Sequence, residues 1–231
     1  MCFTVSADHH SHILPGVDDG MRTTAESLEA LEAYGRAGVA RVWLTPHIME
    51  DFPNSTVDLR SRFDKLKADY AAVADEHSVE LCLAAEHMID TLFVERLAAR
   101  DVLTVGDSRL LLVETSYFNP PADLFGILAS AASAGYTPLL AHPERYMYMT
   151  PADYDRLHAM GVLMQLNIVS VAGAYGREAA ARAEALMRKG YYYMAGSDMH
   201  SLRATTECLQ RPIKASVAKM AAEFIASQNG R

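Results

Sequence analysis

The chain alternates short runs of apolar, β-prone residues with longer segments of helical character. The first helical segment begins at Thr23, where a capping box with Glu26 is expected, and ends near Gly38. Seven runs predict strands, at residues 3–7, 41–44, 79–84, 109–113, 137–140, 162–166 and 191–195. The segments between them predict helices at about residues 23–38, 57–76, 90–99, 122–134, 153–160 and 177–189. This alternation is typical of α/β proteins with parallel strands.

Parallel strands joined by right-handed crossovers form either an open sheet or a closed barrel. In an open sheet the polar site residues gather at one switch point, whereas here every apolar run ends in a polar or ionisable cluster. The pattern therefore favours a distorted (β/α)7 barrel of the TIM type, with its site at the carboxyl ends of the strands. No linker, repeat or change of composition divides the chain, so a single domain is expected over residues 1–231.

Composition and charge narrow the classes of function. The chain is 50% hydrophobic and 22% charged, which is typical of a folded domain rather than a disordered one. Its 21 Lys and Arg against 29 Asp and Glu give a net charge of −8 without a basic block, which argues against binding to nucleic acid or to an anionic membrane. We find no apolar run of membrane-spanning length and no signal-peptide pattern, so a cytoplasmic protein is expected.

The cysteines exclude one route of phosphate chemistry. There are three, far apart and never in a C-x-x-C pair, which argues against a disulfide framework and a thiolate zinc site and predicts buried free thiols. A cysteine-dependent phosphatase would need an Arg six positions after its nucleophile. Positions six residues after Cys2, Cys82 and Cys208 hold Asp8, Met88 and Lys214.

The residue types at the strand ends point to metal binding. His10 and His12 lie two residues apart in an extended segment, so their imidazoles share one side, and the same holds for Asp198 and His200. A single such pair is more often an ordinary polar pair than a metal site. Six of the seven strand ends, however, offer an imidazole or a carboxylate and none offers a thiolate, a donor set that suits Mn, Fe or Zn. The sequence therefore predicts a site for several metal ions.

The order of these motifs resembles that of the PHP (polymerase and histidinol phosphatase) superfamily, over about residues 4–203. Within it the chain is most similar to the manganese-dependent protein-tyrosine phosphatases of the CpsB, CapC or YwqE type, which work in bacterial capsule and exopolysaccharide systems. Three segments carry the resemblance: HILPGVDDG at residues 12–20, LVETSYFNPP at 112–121 and AHPERY at 141–146. The resemblance implies a distorted seven-stranded barrel with up to three divalent ions, Mn being expected and Fe or Zn being alternatives.

The resemblance also implies a ligand for each ion. The first ion takes His10, His12, Glu86 and Asp198; the second takes Glu86 as a bridge together with Glu114 and His142; the third takes Asp19, His47 and His200. Asp18 is the alternative to Asp19, and an Asp-Asp-Gly before a helix is also a common turn. With three divalent ions the four ligand carboxylates leave the site positively charged, which suits a phosphate dianion.

Two arginines are candidates for phosphate binding. Arg145, three residues after His142, offers a guanidinium that suits a phosphate bidentately, although it could instead pair with Glu144 or Asp123. Arg203, three residues after His200, is the second candidate, since many members of this branch carry a phosphate-binding Arg a few positions after this His. Catalysis is expected from Arg145 together with Asp198 and His200. Of these three, Asp198 and His200 are the only candidates for a general acid.

Several other positions bear on the site. Ile48 stands where some relatives have a second His, and His9 and His87 face away from the ligand side by the period-two rule. Four aromatic residues could line the mouth or belong to the core: Tyr117, Phe118, Tyr146 and Tyr148.

The expected reaction is hydrolysis of phosphotyrosine in proteins by a metal-activated hydroxide. The resemblance implies that the substrate is a bacterial tyrosine autokinase of polysaccharide export. One alternative is a small-molecule phosphatase such as histidinol-phosphate phosphatase, and another is a barrel that has lost catalysis and serves as a binding protein. A phosphodiester exonuclease is disfavoured by the net charge of −8 and the single-domain length. The sequence does not indicate an oligomeric state.

Overall fold

Strands and helices alternate through residues 6–227, which are the residues that the computed structural model describes. The strands are β1 Ala7–Ser11, β2 Arg41–Leu44, β3 His47–Ile48, β4 Glu80–Leu83, β5 Glu86–Met88, β6 Leu110–Glu114, β7 Thr137–Ala141, β8 Leu163–Asn167 and β9 Tyr192–Gly196. The helices are α1 Thr24–Arg36, α2 Thr56–Ala71, α3 Thr91–Ala99, α4 Leu124–Ser133, α5 Pro151–Ala159, α6 Ile168–Val171, α7 Gly176–Lys189, α8 Leu202–Leu209 and α9 Ala215–Ala226. A 3-10 turn, Pro143–Arg145, follows β7.

Side-chain caps fix where several helices begin. Thr23 caps α1 by accepting a hydrogen bond from the Glu26 backbone N–H, as predicted. The reciprocal half of the expected capping box is not formed, because the Glu26 carboxylate accepts from the Arg22 backbone N–H instead. A complete capping box occurs at the start of α5, between Thr150 and Asp153.

All the strands pair in parallel, in two sheets. One has the order β1-β2-β4 and the other the order β3-β5-β6-β7-β8-β9. β2 and β3 are consecutive pieces of chain separated only by Thr45 and Pro46, and β4 and β5 are separated only by Ala84 and Ala85. Backbone hydrogen bonds continue across both interruptions, from Ala84 N to Leu44 O (2.9 Å) and from Glu86 N to Pro46 O (3.1 Å). The chain thus passes from one sheet to the other at two kinked strands.

The other edges of the two sheets meet at β1 and β9. Asp198 N donates to His10 O (2.8 Å), and His12 N donates to Met199 O (2.9 Å). The Asp8 carboxylate reinforces this contact by accepting from the backbone N–H of Ser197 at 2.8 Å. The fold is therefore a mixed α/β fold in which two parallel sheets bring the carboxyl ends of their strands to the same side.

The second sheet is buried on both faces, as parallel sheets usually are. Leu111, Val113 and Leu140 belong to the main hydrophobic core, between the sheet and the helices. The alternate positions form a second, smaller cluster made of Leu112, Leu139, Ala141 and Met194. Because side chains alternate along a strand, the face that carries this inner cluster also carries Glu114, two residues beyond Leu112. Within residues 6–227 no helix is both long and apolar enough to cross a membrane.

The first strand differs from the sequence prediction. Within the described residues β1 runs from Ala7 to Ser11, so it overlaps the predicted run at 3–7 only at Ala7, and residues 3–5 lie outside the described part of the chain. The apolar pattern misplaced this strand because its inner positions carry polar site residues, whose burial is compensated by polar neighbours.

α6 was not predicted. It is a single turn, capped by Asn167, which accepts from the Val169 N–H. Cys82 and Cys208 are free thiols, but both are only partly buried, and Cys2 lies outside the described residues.

Gly196 is required where β9 approaches β1. A Cβ atom added at Gly196 would lie 2.3 Å from His10 Cβ, far inside van der Waals contact. We expect Gly196→Ala to lower the free energy of unfolding by about 1–3 kcal/mol, the usual cost of overpacking, and to displace His10. The measurement is urea denaturation of the full chain.

Gly161→Ala is the matched control for this prediction. Gly161 has a positive φ of +79°, which Gly196 does not, and an added Cβ at Gly161 would meet nothing within 4 Å. That variant should lose only about 1 kcal/mol through backbone strain. Equal losses in the two variants would contradict the steric role of Gly196.

Candidate metal centre and phosphate site

The strand ends bring all nine predicted metal ligands to one region. Seven of them are buried, namely His10, His12, His47, Glu86, Glu114, His142 and Asp198. Asp19 and His200 stand at the edge, with side chains 58% and 32% exposed. Two ligands have strained backbones for residues other than glycine, since His142 has φ +33° and Asp198 has φ +54°. His142 is the first residue after β7, and Asp198 is the second residue after β9.

The first group of donors comprises His10, His12, Glu86 and Asp198. Both His10 Nε2 and His12 Nε2 approach Glu86 Oε2, at 3.2 and 3.4 Å. The same two nitrogens lie 3.5 and 3.4 Å from Asp198 Oδ1. Four ligand atoms that hold one ion at about 2.1 Å in a tetrahedral arrangement lie about 3.4 Å apart. The spacing of these donors therefore fits a single bound ion.

The second group surrounds the other side of Glu86. His142 Nε2 lies 3.0 Å from Glu86 Oε1 and 3.7 Å from Glu114 Oε2. The sequence assigned these three residues to one ion. The structure brings His47 to the same carboxylates, with its Nδ1 at 3.3 Å from Glu86 Oε2 and 3.1 Å from Glu114 Oε1.

The third group lies at the exposed edge and includes Asp19, His47 and His200. Asp19 Oδ1 is 3.3 Å from His200 Nε2 and 3.5 Å from His47 Nε2. His12 also lies within reach of this group, with its ring stacked on that of His200 at 3.9 Å between centroids. His47 therefore contributes one ring nitrogen to the second group and the other to the third.

Buried negative charge dominates the electrostatics of the site. Burial opposes ionisation of Asp198 and Glu86, but the neighbouring histidines, of which His10 has the largest effect, together outweigh it and hold the pKa of both carboxyls below its ordinary value. Burial likewise opposes the protonation of His10, yet the charges of Glu86 and Asp198 raise the pKa of its imidazole to about 9. The carboxylates thus stay ionised and draw positive charge into the site.

The donor set fits divalent metal ions. Glu86 Oε2 and His47 Nδ1 are both buried without a hydrogen-bond partner. Unpaired buried polar atoms are costly, and an ion between them would compensate both. Neither Cys82 nor Cys208 belongs to any of the three donor groups found among the described residues. Imidazole and carboxylate donors without thiolate suit Mn, Fe or Zn.

Asp18 and Asp19, the two alternatives of the sequence analysis, have different surroundings. Asp18 Oδ2 lies 2.8 Å from His12 Nδ1, on the side of the ring away from the first group. The same carboxylate accepts from the backbone N–H of His47 at 3.1 Å. Burial opposes its ionisation, but the hydrogen bond and charge of His12, together with the Gly20 backbone N–H and the charge of His47, outweigh this and lower the pKa of Asp18 to about 2. Only Asp19 points into the third group of donors.

Arg145 faces the same cavity as the ligand groups. The cavity has a volume of about 680 Å³, and its lining includes Asp19, His47, Glu114, Arg145, Asp198 and His200. The Arg145 guanidinium lies between two aromatic rings, 4.1 Å from the centroid of Tyr117 and 3.9 Å from that of Tyr175. Its Nη1 donates to Asp198 Oδ2 at 2.7 Å.

Neither ion-pair alternative for Arg145 occurs. Glu144 turns into the protein, where its carboxylate accepts from the backbone N–H of Asn167 (3.1 Å) and from the hydroxyl of Tyr192 (2.8 Å). Asp123 instead caps α4 by accepting from the Gly126 N–H at 3.0 Å. The carboxylate that pairs with Arg145 is instead that of Asp198, which lines the same cavity.

The sequence is similar to those of known proteins over most of its length. Residues 6–229 match the family described as capsular polysaccharide synthesis, CpsB/CapC. The chain belongs to the CpsB/CapC family. The tyrosine-protein phosphatase YwqE of Bacillus subtilis is 27% identical over 199 residues, which cover 85% of this chain and 78% of YwqE. The tyrosine-protein phosphatase CpsB of Streptococcus pneumoniae is 27% identical over 212 residues, which cover 88% of this chain and 86% of CpsB.

The fold is also that of a solved structure. It comes from the work on YwqE of Bacillus subtilis and CpsB of Streptococcus pneumoniae, described there as unique metal-dependent tyrosine phosphatases. The superposition has a TM-score of 0.79 at 24% identity and covers 95% of this chain and 92% of the other.

Arg203 is not brought to Arg145 in this member of the CpsB/CapC family. Ser201 caps α8, so Arg203 lies in the first turn of that helix, where its side chain is 88% exposed. Its Nε donates to Glu207, one turn further along, at 2.8 Å. Arg203 borders a neighbouring groove that shares only His200 and Ser201 with the cavity of the metal ligands.

The remaining candidates divide between cavity and core. His9 and His87 face away from the ligand groups, as predicted, with their Nδ1 atoms on the backbone oxygens of Ala195 (3.2 Å) and Leu112 (3.1 Å). Tyr146 does not line the mouth, because it is fully buried and its hydroxyl donates to Ala141 O. Ile48 is a buried core residue.

The other three aromatic candidates for the mouth lie nearer the surface than Tyr146. Tyr148 is partly buried, with its hydroxyl on Thr115 Oγ1, and Phe118 is exposed beside Arg145 in a groove that adjoins the cavity. Tyr117 lines the cavity itself. Sequence reasoning missed Tyr175, because it lies in the turn after α6 and no strand-end pattern marks it.

We expect Glu86→Gln to remove more metal than Asp19→Asn. Glu86 offers oxygens to two donor groups, whereas Asp19 belongs to one. The full chain would be loaded with Mn²⁺, passed through gel filtration and analysed for metal per chain by mass spectrometry. Equal losses in these two nearly isosteric variants would contradict the bridging position of Glu86.

Proposed function

We propose that this chain is a metal-dependent phosphomonoesterase that hydrolyses phosphotyrosine in proteins. The observation that carries the proposal is that Arg145 and donors of all three ligand groups face one cavity. A guanidinium beside clustered divalent ions is an arrangement suited to a phosphate dianion. The relatives named as tyrosine-protein phosphatases support phosphotyrosine as the substrate class.

The proposed architecture is a distorted seven-stranded (β/α) barrel formed by a single domain over residues 1–231. Counting the kinked pairs β2/β3 and β4/β5 as one strand each gives seven strands, in agreement with the seven apolar runs. The backbone hydrogen bonds between β1 and the residues after β9 support closure at the remaining edge. The carboxyl ends of barrel strands are the usual place for a catalytic site.

The proposed ligand sets follow the sequence expectation. His10, His12, Glu86 and Asp198 hold the first ion; Glu86, Glu114 and His142 the second; Asp19, His47 and His200 the third. Mn²⁺ is the proposed ion, with Fe and Zn as alternatives of similar donor preference. When bound, such ions supply a nucleophile at neutral pH by acidifying water, and they withdraw charge from phosphate oxygens.

The residues of the chain have separate tasks in the proposed reaction. Arg145 binds the phosphate, and the rings of Tyr117 and Tyr175 hold its guanidinium in place on both faces. The phenolate leaving group has a pKa of about 10, so it needs little protonation. Both general-acid candidates border the cavity, but Asp198 stays ionised there because its pKa is lowered, which leaves His200 as the group placed to hold a proton. No contact of Arg203 within the described residues supports a role in phosphate binding, because it pairs with Glu207 and borders a different groove.

The proposed partner is a bacterial tyrosine autokinase of capsule or exopolysaccharide synthesis, since the chain belongs to a capsular polysaccharide synthesis family. The proposed location is the cytoplasm, where the free thiols of Cys82 and Cys208 would remain reduced.

The substrate class can be tested by hydrolysis of three phosphomonoesters in parallel: a phosphotyrosine peptide, a phosphoserine peptide and histidinol phosphate. We expect the Mn²⁺-loaded chain to hydrolyse the phosphotyrosine peptide fastest and the chelator-treated chain to be inactive. The measurement is phosphate release. Much faster turnover of histidinol phosphate would instead identify a small-molecule phosphatase, and undiminished activity after chelation would refute the metal requirement.

The role of Arg145 can be tested against Arg203. We expect Arg145→Ala to lower kcat/KM for the phosphotyrosine peptide by roughly 10²-fold or more, the usual effect of removing one preorganised donor to developing charge. Arg203→Ala removes an equally large cation that is exposed and paired with Glu207, so its kcat/KM should stay within about twofold. Similar losses in both variants would mean that both arginines reach the phosphate.

A further inference from the structure

β8 supplies no predicted metal ligand, although it lies between β7 and β9, which lead into His142 and Asp198. Its last three residues are Gln165, Leu166 and Asn167. Leu166 belongs to the main hydrophobic core, so the alternation of side chains directs Gln165 and Asn167 to the opposite face, toward the ligands. Both side chains are buried, with residue exposures of 1% and 2%.

Gln165 fixes the orientation of His10. Its amide Nε2 donates to the backbone oxygen of His9 at 3.1 Å, and this oxygen can only accept. Its Oε1 is thereby directed at His10 Nδ1, 2.7 Å away. An amide oxygen also can only accept, so His10 Nδ1 carries the proton. In the neutral ring, the form that can bind a metal ion, the free lone pair is then on Nε2, which faces Glu86 and Asp198.

Asn167 fixes the orientation of Asp198 in the same way. Its Oδ1 accepts from the Val169 backbone N–H at 3.0 Å, as the cap of α6. Its Nδ2 is thereby directed at Asp198 Oδ2, to which it donates at 2.9 Å. Arg145 donates to the same oxygen. The other oxygen, Oδ1, is left to face His10 and His12.

We propose that β8 is an orienting strand, in which Gln165 and Asn167 are positioning residues that fix the donor atoms offered to an ion by His10 and Asp198. The inference rests on the metal centre of the proposed function. Both residues act on the first donor group from behind, one on a nitrogen ligand and one on an oxygen ligand. Groups that hold a metal ligand from behind typically contribute 10- to 100-fold to metal affinity.

The test uses two variants that preserve approximate volume and remove the polar contacts, Gln165→Met and Asn167→Leu. Mn²⁺ would be titrated calorimetrically into the chelator-stripped full chain, and urea unfolding of the metal-free chain would report stability. We expect the tightest Mn²⁺ site to weaken roughly 10- to 100-fold in each variant. Metal affinity that stays within about twofold of the wild-type chain in both variants would overturn the proposal.

Tyr70→Phe is the matched control. The Tyr70 hydroxyl accepts from the Val79 backbone N–H at 3.0 Å, so this variant also loses a buried side-chain hydrogen bond, but at the end of α2 away from the donor groups. It should lose stability and keep its affinity for Mn²⁺. If Tyr70→Phe weakened the metal site as much as the β8 variants, their effect would be one of general destabilisation and the proposal would fail.

A spectroscopic measurement separates orientation from stability. In the Zn²⁺-loaded chain labelled with ¹⁵N-histidine, we expect His10 to be protonated at Nδ1 in the wild type, with this proton exposed to exchange in Gln165→Met. Protonation at Nε2 in the wild type would overturn the proposal. A chain that binds metal without hydrolysing phosphotyrosine would refute the proposed function alone, whereas a chain that binds none of Mn²⁺, Fe²⁺ or Zn²⁺ would overturn both.

Discussion

The Glu86 carboxylate is fully buried at the centre of the site, and the arrangement of its polar neighbours follows from the need to compensate its charge. Three imidazoles from the ends of two strands converge on it, from His10 and His12 on one side and His142 on the other. A second buried carboxylate, that of Asp198, forms an ion pair with Arg145. Buried carboxylates are costly unless positive charge compensates them. The histidines and Arg145 supply part of this positive charge, and bound divalent ions would supply the rest.

Much of the fold could be predicted because apolar runs mark strands that are buried on both faces. The runs at 41–44, 109–113 and 137–140 lie within one or two residues of observed strands, since no polar requirement interrupts their pattern. β1 could not be placed correctly, because three of its five residues are Asp8, His9 and His10. The kinks after β2 and β4 were also not predicted, since short runs do not report how a strand continues.

The ligand set could be predicted further than its surroundings. Strand ends are local in sequence, and the carboxyl ends of parallel strands meet in space, so residue type and position predicted a site for several metal ions. The individual ligand set, including Asp19 in the loop after β1, came from the family resemblance. The exposed position of Arg203 on α8 could not be predicted, because spacing along the chain does not determine the direction in which a side chain leaves a helix. Tyr175 and Asp18 depend on contacts between distant or looping segments, and no periodicity encodes these.

His47 places a limit on how the centre can be filled. Its Nδ1 faces Glu86 and Glu114, and its Nε2 faces Asp19. A neutral imidazole has a single lone pair, because its other nitrogen carries a proton. The ring can therefore coordinate on one side or on the other, and serving both at once would require it to become an imidazolate anion. Occupancy on the inner side and on the outer side of this ring is consequently not independent, and the two positions compete for one electron pair.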